Sequence, residues 1–332
     1  MRKGLKILAV LSLAGLGWGL YRKRKYPLAK GYHLLNLFVV PGFLVRKKVA
    51  ESGNRQLQKM GLPPVAPGLK RQSIHVSLEN GMSVPVTVYE PVVVEKELPC
   101  LVYFHGGGFC FADAGYIHKT VMDYSLQSGC KVVFVHYRTS DQAAFPAPFE
   151  DCCAALRYVW DHSRQLGIDR NRIAVGGDSA GGALAAACTL WARDETDIRL
   201  CFQMLIYPVT DARMRTASMK KYTDSPLWNS RLNRNMWRLY LRNGCGKNPA
   251  YASPMEARDF SGLPDAYIEV EEFDCLHDEG IAYGKALARG GAKVQIEQEK
   301  GTFHGFDVFR NTSETKRMIR KRSCVLRRVF YM

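Results

Sequence analysis

Val175-Gly176-Gly177-Asp178-Ser179-Ala180-Gly181-Gly182 follows a short apolar run, Ile173–Val175, and opens an Ala- and Leu-rich stretch, Gly182–Arg193. Gly177-x-Ser179-x-Gly181 fits a sharp strand-to-helix turn that lifts a serine hydroxyl above a sheet edge, beside a helix N-terminus. Side chains at the flanking positions would collide in so tight a turn, hence glycine. A phosphate-binding loop is excluded, because Gly182 and not Lys follows Gly181. No dinucleotide-type G-x-G-x-x-G can be read here either.

Working outward, short apolar runs typical of buried strands recur at Leu101–Phe104, Lys131–Val135, Leu200–Ile206 and Ala266–Val270. Helical patterns lie between several of them: Pro148 to Leu166, the stretch after Ser179, and Glu279–Arg289, which Gly290-Gly291 stops. Ser73–Leu78 and Val84–Tyr89 read as antiparallel strands joined at Asn80-Gly81. This alternation predicts a mostly parallel sheet with helices on both faces. The stretch Ala212–Ser253 breaks it. With Trp228, Trp237 and Tyr240 on a helical pattern, it reads as an insertion covering the C-terminal edge of the sheet.

His105-Gly106-Gly107-Gly108-Phe109 comes directly after the Leu101–Phe104 strand. Serine hydrolysis passes through a tetrahedral oxyanion, which needs backbone N–H groups aimed at one point, and glycines let the backbone come close enough. The ring of His105 is expected to orient this loop. A serine alcohol needs a base. Of eight histidines, His304 in Gly301-Thr-Phe-His304-Gly305-Phe306 lies where a base belongs in the chain order Ser…Asp/Glu…His, after the expected strand Lys293–Glu297. The acid that holds the imidazole should follow the Ala266–Val270 strand. Glu271, Glu272, Asp274, Asp278 and Glu279 are candidates. Asp274 is best placed, in the loop itself, while Asp278 and Glu279 look like first-turn residues of the next helix.

These residues together resemble the hormone-sensitive-lipase-like esterase branch of the α/β-hydrolase superfamily. The resemblance runs from about Val84 to Phe309. It is carried by the two glycine motifs, Tyr137-Arg138, Phe145-Pro146-Ala147, Glu150-Asp151, Tyr207-Pro208, Ser253-Pro254, Asp274-Cys-Leu-His-Asp-Glu-Gly280 and His304-Gly-Phe306. It implies a triad of Ser179, Asp274 and His304, and an oxyanion hole from the N–H groups of Gly107, Gly108 and Ala180, supported by His105 and Gly106. It also implies a helical cap built from the N-terminal segment and residues 212–253. The chain departs from the family pattern in two places. Cys275 stands where Asp-Pro-Leu is usual, and His136-Tyr-Arg-Thr-Ser-Asp-Gln142 stands for Asp-Tyr-Arg-Leu-Ala-Pro-Glu.

The 332 residues, 47% hydrophobic and 23% charged, suit a globular α/β enzyme and exclude disordered and disulfide-scaffold classes. The net charge of +16 is unevenly placed. Residues 1–70 hold 14 Lys/Arg and one acid (+13), and residues 312–332 hold seven and one (+6), leaving −3 for the body. A nucleic-acid groove across the body is therefore not expected. Two units are expected: a basic apolar segment, 1–70, and a catalytic domain, 71–332. Ile7–Leu20 is apolar except for Ser12, and as a helix it would span roughly 21 Å against a hydrocarbon core of about 30 Å. With the apolar run Tyr32–Val45 and the flanking cations, it reads as a membrane-surface anchor or a short signal anchor. The competing readings are helices packed over the enzyme body and a cleaved signal. Ten cysteines with no C-x-x-C pair read as buried free thiols in a reducing compartment. The expected protein is thus cytoplasmic, attached to the inner membrane face. It hydrolyses short- to medium-chain carboxylic esters through an acyl-enzyme, with no cofactor and no metal. Removal of acetyl groups from sugars, amides or a modified metabolite is the alternative, and a non-catalytic receptor on the same fold is a third.

Overall fold

A computed structural model describes residues 17–78, 81–92 and 97–332. Most of the Ile7–Leu20 run, and Asn80 of the expected hairpin turn, lie outside the described residues. The core is one eight-stranded sheet: β1 (Leu69–Ser77), β2 (Ser83–Pro91), β3 (Leu98–Phe104), β4 (Lys131–Val135), β5 (Ile168–Asp178), β6 (Phe202–Ile206), β7 (Ala266–Glu271) and β8 (Val294–Glu299). The spatial order is β1-β2-β4-β3-β5-β6-β7-β8. β1 and β2 pair antiparallel, as do β2 and β4, and every other neighbour pair is parallel. The central strands are buried along their whole length, which explains why they read as unbroken apolar runs rather than as alternation.

Register positions the site. In the β3–β5 pair Phe104 lies opposite Gly177, so the loop after β3 and the turn after β5 leave the same edge side by side. The turn residue Ser179 has φ 56°, in the left-handed region, and caps the helix Ala180–Glu195. A Cβ on Gly181 would sit 1.9 Å from the carbonyl oxygen of Phe104, and one on Gly177 would sit 2.4 Å from the backbone of Gly181. Backbone cannot yield as a side chain does. Gly181→Ala is therefore expected to destabilise the fold by more than about 4 kcal/mol, or to prevent folding. An unchanged denaturant midpoint would contradict this packing.

The expected helix from Pro148 runs Ala147–Asp161, with Pro148 in its first turn, where its missing N–H goes unneeded. Among the described residues three longer helices escaped the sequence reading: Lys47–Met60, Gly115–Ser128 and Ser313–Tyr331. Gly115–Ser128 buries the polar His118, Thr120, Ser125 and Ser128 beside Ile117, Val121, Met122 and Tyr124, so no clean apolar stripe marks it in the sequence. Ser313–Tyr331 packs against it, and in sequence it reads only as a basic run. Its buried stripe of Met318, Ile319, Val325, Leu326 and Phe330 contains Arg322, which is 1% exposed. Arg322 donates to Glu269 on β7 and, at 2.7 Å, to Asp307. Arg317 and Lys321 pair with Glu299 and Glu297. The C-terminal cluster is thus partly an internal clamp.

The N-terminal segment and the insertion are tied to each other. Residues 17–25 are helical. Arg22, Lys25 and Tyr26 all donate to Asp224 at 2.6–2.8 Å. Asn229 and Asn235 donate to the carbonyls of Val40 and Gly42. Two of the four cations in the Arg22–Lys25 run are therefore held by Asp224 rather than free for a membrane. In the insertion the helix Ser230–Tyr240 carries Tyr240, stacked at 3.8 Å on Phe109 of the glycine loop, and Trp237, which is buried beside them. Such a pair adds about 0.5–1.5 kcal/mol beyond burial. All ten cysteines are free thiols, and seven are buried. Among the described residues no helix is long and apolar enough to cross a membrane.

Candidate active site

Ser179 sits at the top of β5, lifted by the turn into the base of a cavity. The Ser179 hydroxyl donates to Nε2 of His304 at 2.8 Å. Nδ1–H of His304 donates to Oδ2 of Asp274 at 2.7 Å. Asp274 is fully buried, and its second oxygen accepts the backbone N–H of Leu276 at 2.9 Å, which fixes the carboxylate plane. The ring of Tyr207 meets His304 edge-on at 4.6 Å. Its hydroxyl donates to Asp307, which Arg322 also holds. The buried C-terminal arginine thus steadies the loop that carries the imidazole.

The other candidate acids are occupied elsewhere. Glu271 accepts from the Thr302 hydroxyl, and Glu272 accepts the N–H of Gly301 at 2.8 Å. Asp278 accepts the N–H of Ser218 at 2.8 Å and lies, as expected, in a helical first turn. Glu279 is in the same turn but fully buried, accepting the N–H groups of Thr210 and Asp211. Burial pushes its carboxyl well above the ordinary range despite those donors.

The loop His105–Phe109 lies against the Ser179 turn. The His105 ring stacks on Tyr137 at 4.2 Å, and its Nδ1–H donates to the Gly106 carbonyl at 2.6 Å. Burial lowers its pKa to about 4, so this imidazole is neutral near pH 7. Gly107 has φ 119° and Gly108 φ 60°, and a Cβ on Gly108 would strike Trp228 at 2.7 Å. Only glycine fits there. The sequence reading missed Asp178. Its Oδ1 accepts the Tyr103 hydroxyl at 2.9 Å and the Gly106 N–H at 3.0 Å, pinning the loop to the turn. Burial, and then the nearby Asp307, raise its pKa to about 6. Its place between Gly177 and Ser179 was the available signal.

The cavity has a volume of about 350 Å³ and is mostly apolar. Val40, Leu44 and Leu57 from the N-terminal segment and Leu227, Trp228 and Leu232 from the insertion form its upper wall, with Ser179 and His304 on its floor. The tryptophans divide: Trp228 faces the cavity, 6.0 Å from His304, and Trp237 is core.

A strand-turn-helix serine, hydrogen-bonded in series to a histidine and a buried carboxylate within this sheet, defines an α/β hydrolase. The family model described as alpha/beta hydrolase fold matches residues 101–308. Esterase LipI of Mycobacterium tuberculosis (strain ATCC 25618 / H37Rv) is 34% identical over 259 residues, covering 77% of this chain and 81% of the relative. The ethyl acetate hydrolase of Pseudomonas putida is 29% identical over 236 residues, 70% of this chain and 74% of that one. Among solved structures, a bacterial heroin esterase matches with a TM-score of 0.79 at 33% identity, over 86% of this chain and 92% of its own. The chain belongs to the α/β-hydrolase fold family, in its hormone-sensitive-lipase-like esterase branch.

Proposed function

We propose that Ser179 is the nucleophile, His304 the general base and Asp274 the orienting acid of an ester-hydrolysing serine hydrolase. The observation that carries this reading is the unbroken series of 2.8 Å and 2.7 Å hydrogen bonds from Ser179 through His304 to Asp274 on the cavity floor. Ser179 Oγ attacks the ester carbonyl carbon as His304 Nε2 takes its proton. The buried Asp274 carboxylate stabilises the imidazolium and keeps Nδ1 protonated. The N–H groups of Gly107, Gly108 and Ala180 receive the oxyanion, on a loop that Asp178, His105 and Tyr137 hold in place before substrate arrives. His304 returns the proton to the leaving alcohol. Water then attacks acyl-Ser179 by the reverse sequence and frees the acid.

The substrates are short- to medium-chain acyl esters. A cavity of about 350 Å³ lies at the low end of the roughly 300–1,000 Å³ usual for ligand sites. Residues 212–253 and the N-terminal segment together act as the cap, which limits the acyl group. Against p-nitrophenyl esters from C2 to C16, kcat/KM is expected to peak at or below about C8 and then fall, because longer chains outgrow a pocket of this size. A rate still rising at C16 would contradict the cap assignment.

The same N-terminal segment is the membrane-surface anchor. Trp18, Leu20, Tyr21, Leu34, Phe38 and Phe43 are all exposed, between 45% and 76%, on the segment that also supplies the upper wall of the cavity. Lys23, Arg24 and Lys30 are exposed there too. Rings, aliphatic side chains and cations together suit the headgroup region of an anionic bilayer. Replacing Leu34, Phe38 and Phe43 with Ser is expected to shift the protein from sedimenting anionic vesicles to the supernatant, with activity on soluble esters retained. Unchanged sedimentation would refute the anchor.

A further inference from the structure

Behind the glycine loop, away from Ser179, three donors converge. Asp113 Oδ2 meets Nε2 of His118 at 2.6 Å, and Asp113 Oδ1 meets Nδ1 of His136 at 3.1 Å. The candidate ligand atoms of all three residues lie within 4.8 Å of one another. We propose that Asp113, His118 and His136 form a binding site for a divalent first-row transition cation of the Zn²⁺ type.

The geometry suits such an ion. Metal bonds of about 2.0–2.1 Å in a tetrahedron place ligand atoms about 3.3 Å apart. The Asp113 oxygens lie 2.6 Å and 3.1 Å from the two imidazole nitrogens, and side-chain rotation would bring the set to that spacing. Two imidazoles and one carboxylate favour zinc-like ions over Mg²⁺ or Ca²⁺, which take oxygen ligands. The outer ring nitrogens are already held. Nδ1 of His118 lies 2.8 Å from the Tyr89 hydroxyl, and Nε2 of His136 lies 2.8 Å from the Thr87 hydroxyl. Thr87 and Tyr89 are two residues apart on β2 and so share a face. A hydroxyl can donate or accept. Each can therefore satisfy the imidazole while its inner N–H bonds Asp113, and equally when a metal takes the inner nitrogen and the outer one carries the proton. Partners placed at the far nitrogen are what metal-binding imidazoles require.

Access agrees. Asp113, His118 and His136 line a groove of about 980 Å³, from which a water can complete the coordination. Ala112, Ala114 and Tyr116, which flank Asp113, line both this groove and the catalytic cavity. A bound cation would tie that shared wall to the start of helix Gly115–Ser128 and to the residue after β4. His136 is also one of the positions where the chain departs from its family pattern. The spacing 113, 118, 136 follows no linear metal motif, and for that reason the sequence gives no sign of it.

The test uses the full chain, stripped with a chelator and titrated with Zn²⁺ alone, followed by calorimetry and thermal unfolding. Cys324→Ser removes the exposed thiol, and His304→Gln removes the catalytic imidazole. Both variants should retain the site. The expected result is one saturable ion per chain, a raised Tm, and binding weakened at least roughly 100-fold in His136→Gln. Tyr89→Phe, which removes an outer hydroxyl, should weaken binding roughly 10-fold or more. Should His136→Gln not fold, Co²⁺ in the Cys324→Ser protein decides. The visible d–d absorption of a four-coordinate nitrogen/oxygen site, without a thiolate charge-transfer band, supports the proposal. Absence of saturable binding, equal binding in His136→Gln, or a thiolate band overturns it.

Discussion

Ser179→Ala is expected to abolish ester turnover, a loss of roughly 10⁴–10⁶ in kcat, while the protein stays folded. Among the described residues the hydroxyl is the only group on the cavity floor that is hydrogen-bonded to His304 Nε2, so no described neighbour is placed to take over the attack. Alanine at this position keeps the backbone turn, although φ 56° stays unfavourable for any residue with a Cβ. Unfolding by denaturant should therefore be nearly unchanged, and circular dichroism with Tm separates lost chemistry from lost fold. Residual activity of even a tenth of wild type would mean that another group performs the attack.

Asp274→Asn should lower turnover by about 10⁴, as expected when the orienting carboxylate of such a triad becomes an amide. The amide can donate to Nδ1 and so favour the tautomer with Nε2–H, which cannot accept the proton of Ser179. The variant retains volume, and its carbonyl oxygen can still accept the Leu276 N–H that Asp274 accepts now. Asp278→Asn, four residues on, is the matched control. Its carboxylate serves Ser218 and His277 near a helix start, and its loss should leave kcat within a few-fold of wild type. Equal effects of the two variants would refute the assignment of the acid.

The candidate site could be picked out in the sequence because the proposed chemistry demands residue types that are hard to disguise. Gly177, Gly181 and Gly108 stand where a Cβ meets backbone or an indole ring, so the motif is steric as well as chemical. Strands β3, β4 and β7 were readable for a related reason, since fully buried strands of a parallel sheet have no polar face to break the pattern. What the sequence concealed depends on tertiary partners. Arg322 reads as one more surface cation until Glu269 and Asp307 are placed around it. Asp178 reads as filler within the serine motif, although it carries the Gly106 N–H. Arg22 reads as a membrane-facing charge, yet it is fully buried against Asp224 and the carbonyl of Asn36. In each case the residue type is ordinary, and only a partner 14 to 202 positions away gives it a role.

The most direct test of the account is to react the full-length protein with a fluorophosphonate, digest it, and locate the adduct by mass spectrometry. The reagent forms a stable phosphonyl ester with an activated serine and so imitates the first half of the reaction. A single adduct on Ser179 is predicted, formed as fast as ester turnover is lost and slowed in step with activity in Asp274→Asn. An adduct on any other residue, or an unlabelled protein that still hydrolyses esters, would contradict the assignment of Ser179 as the nucleophile.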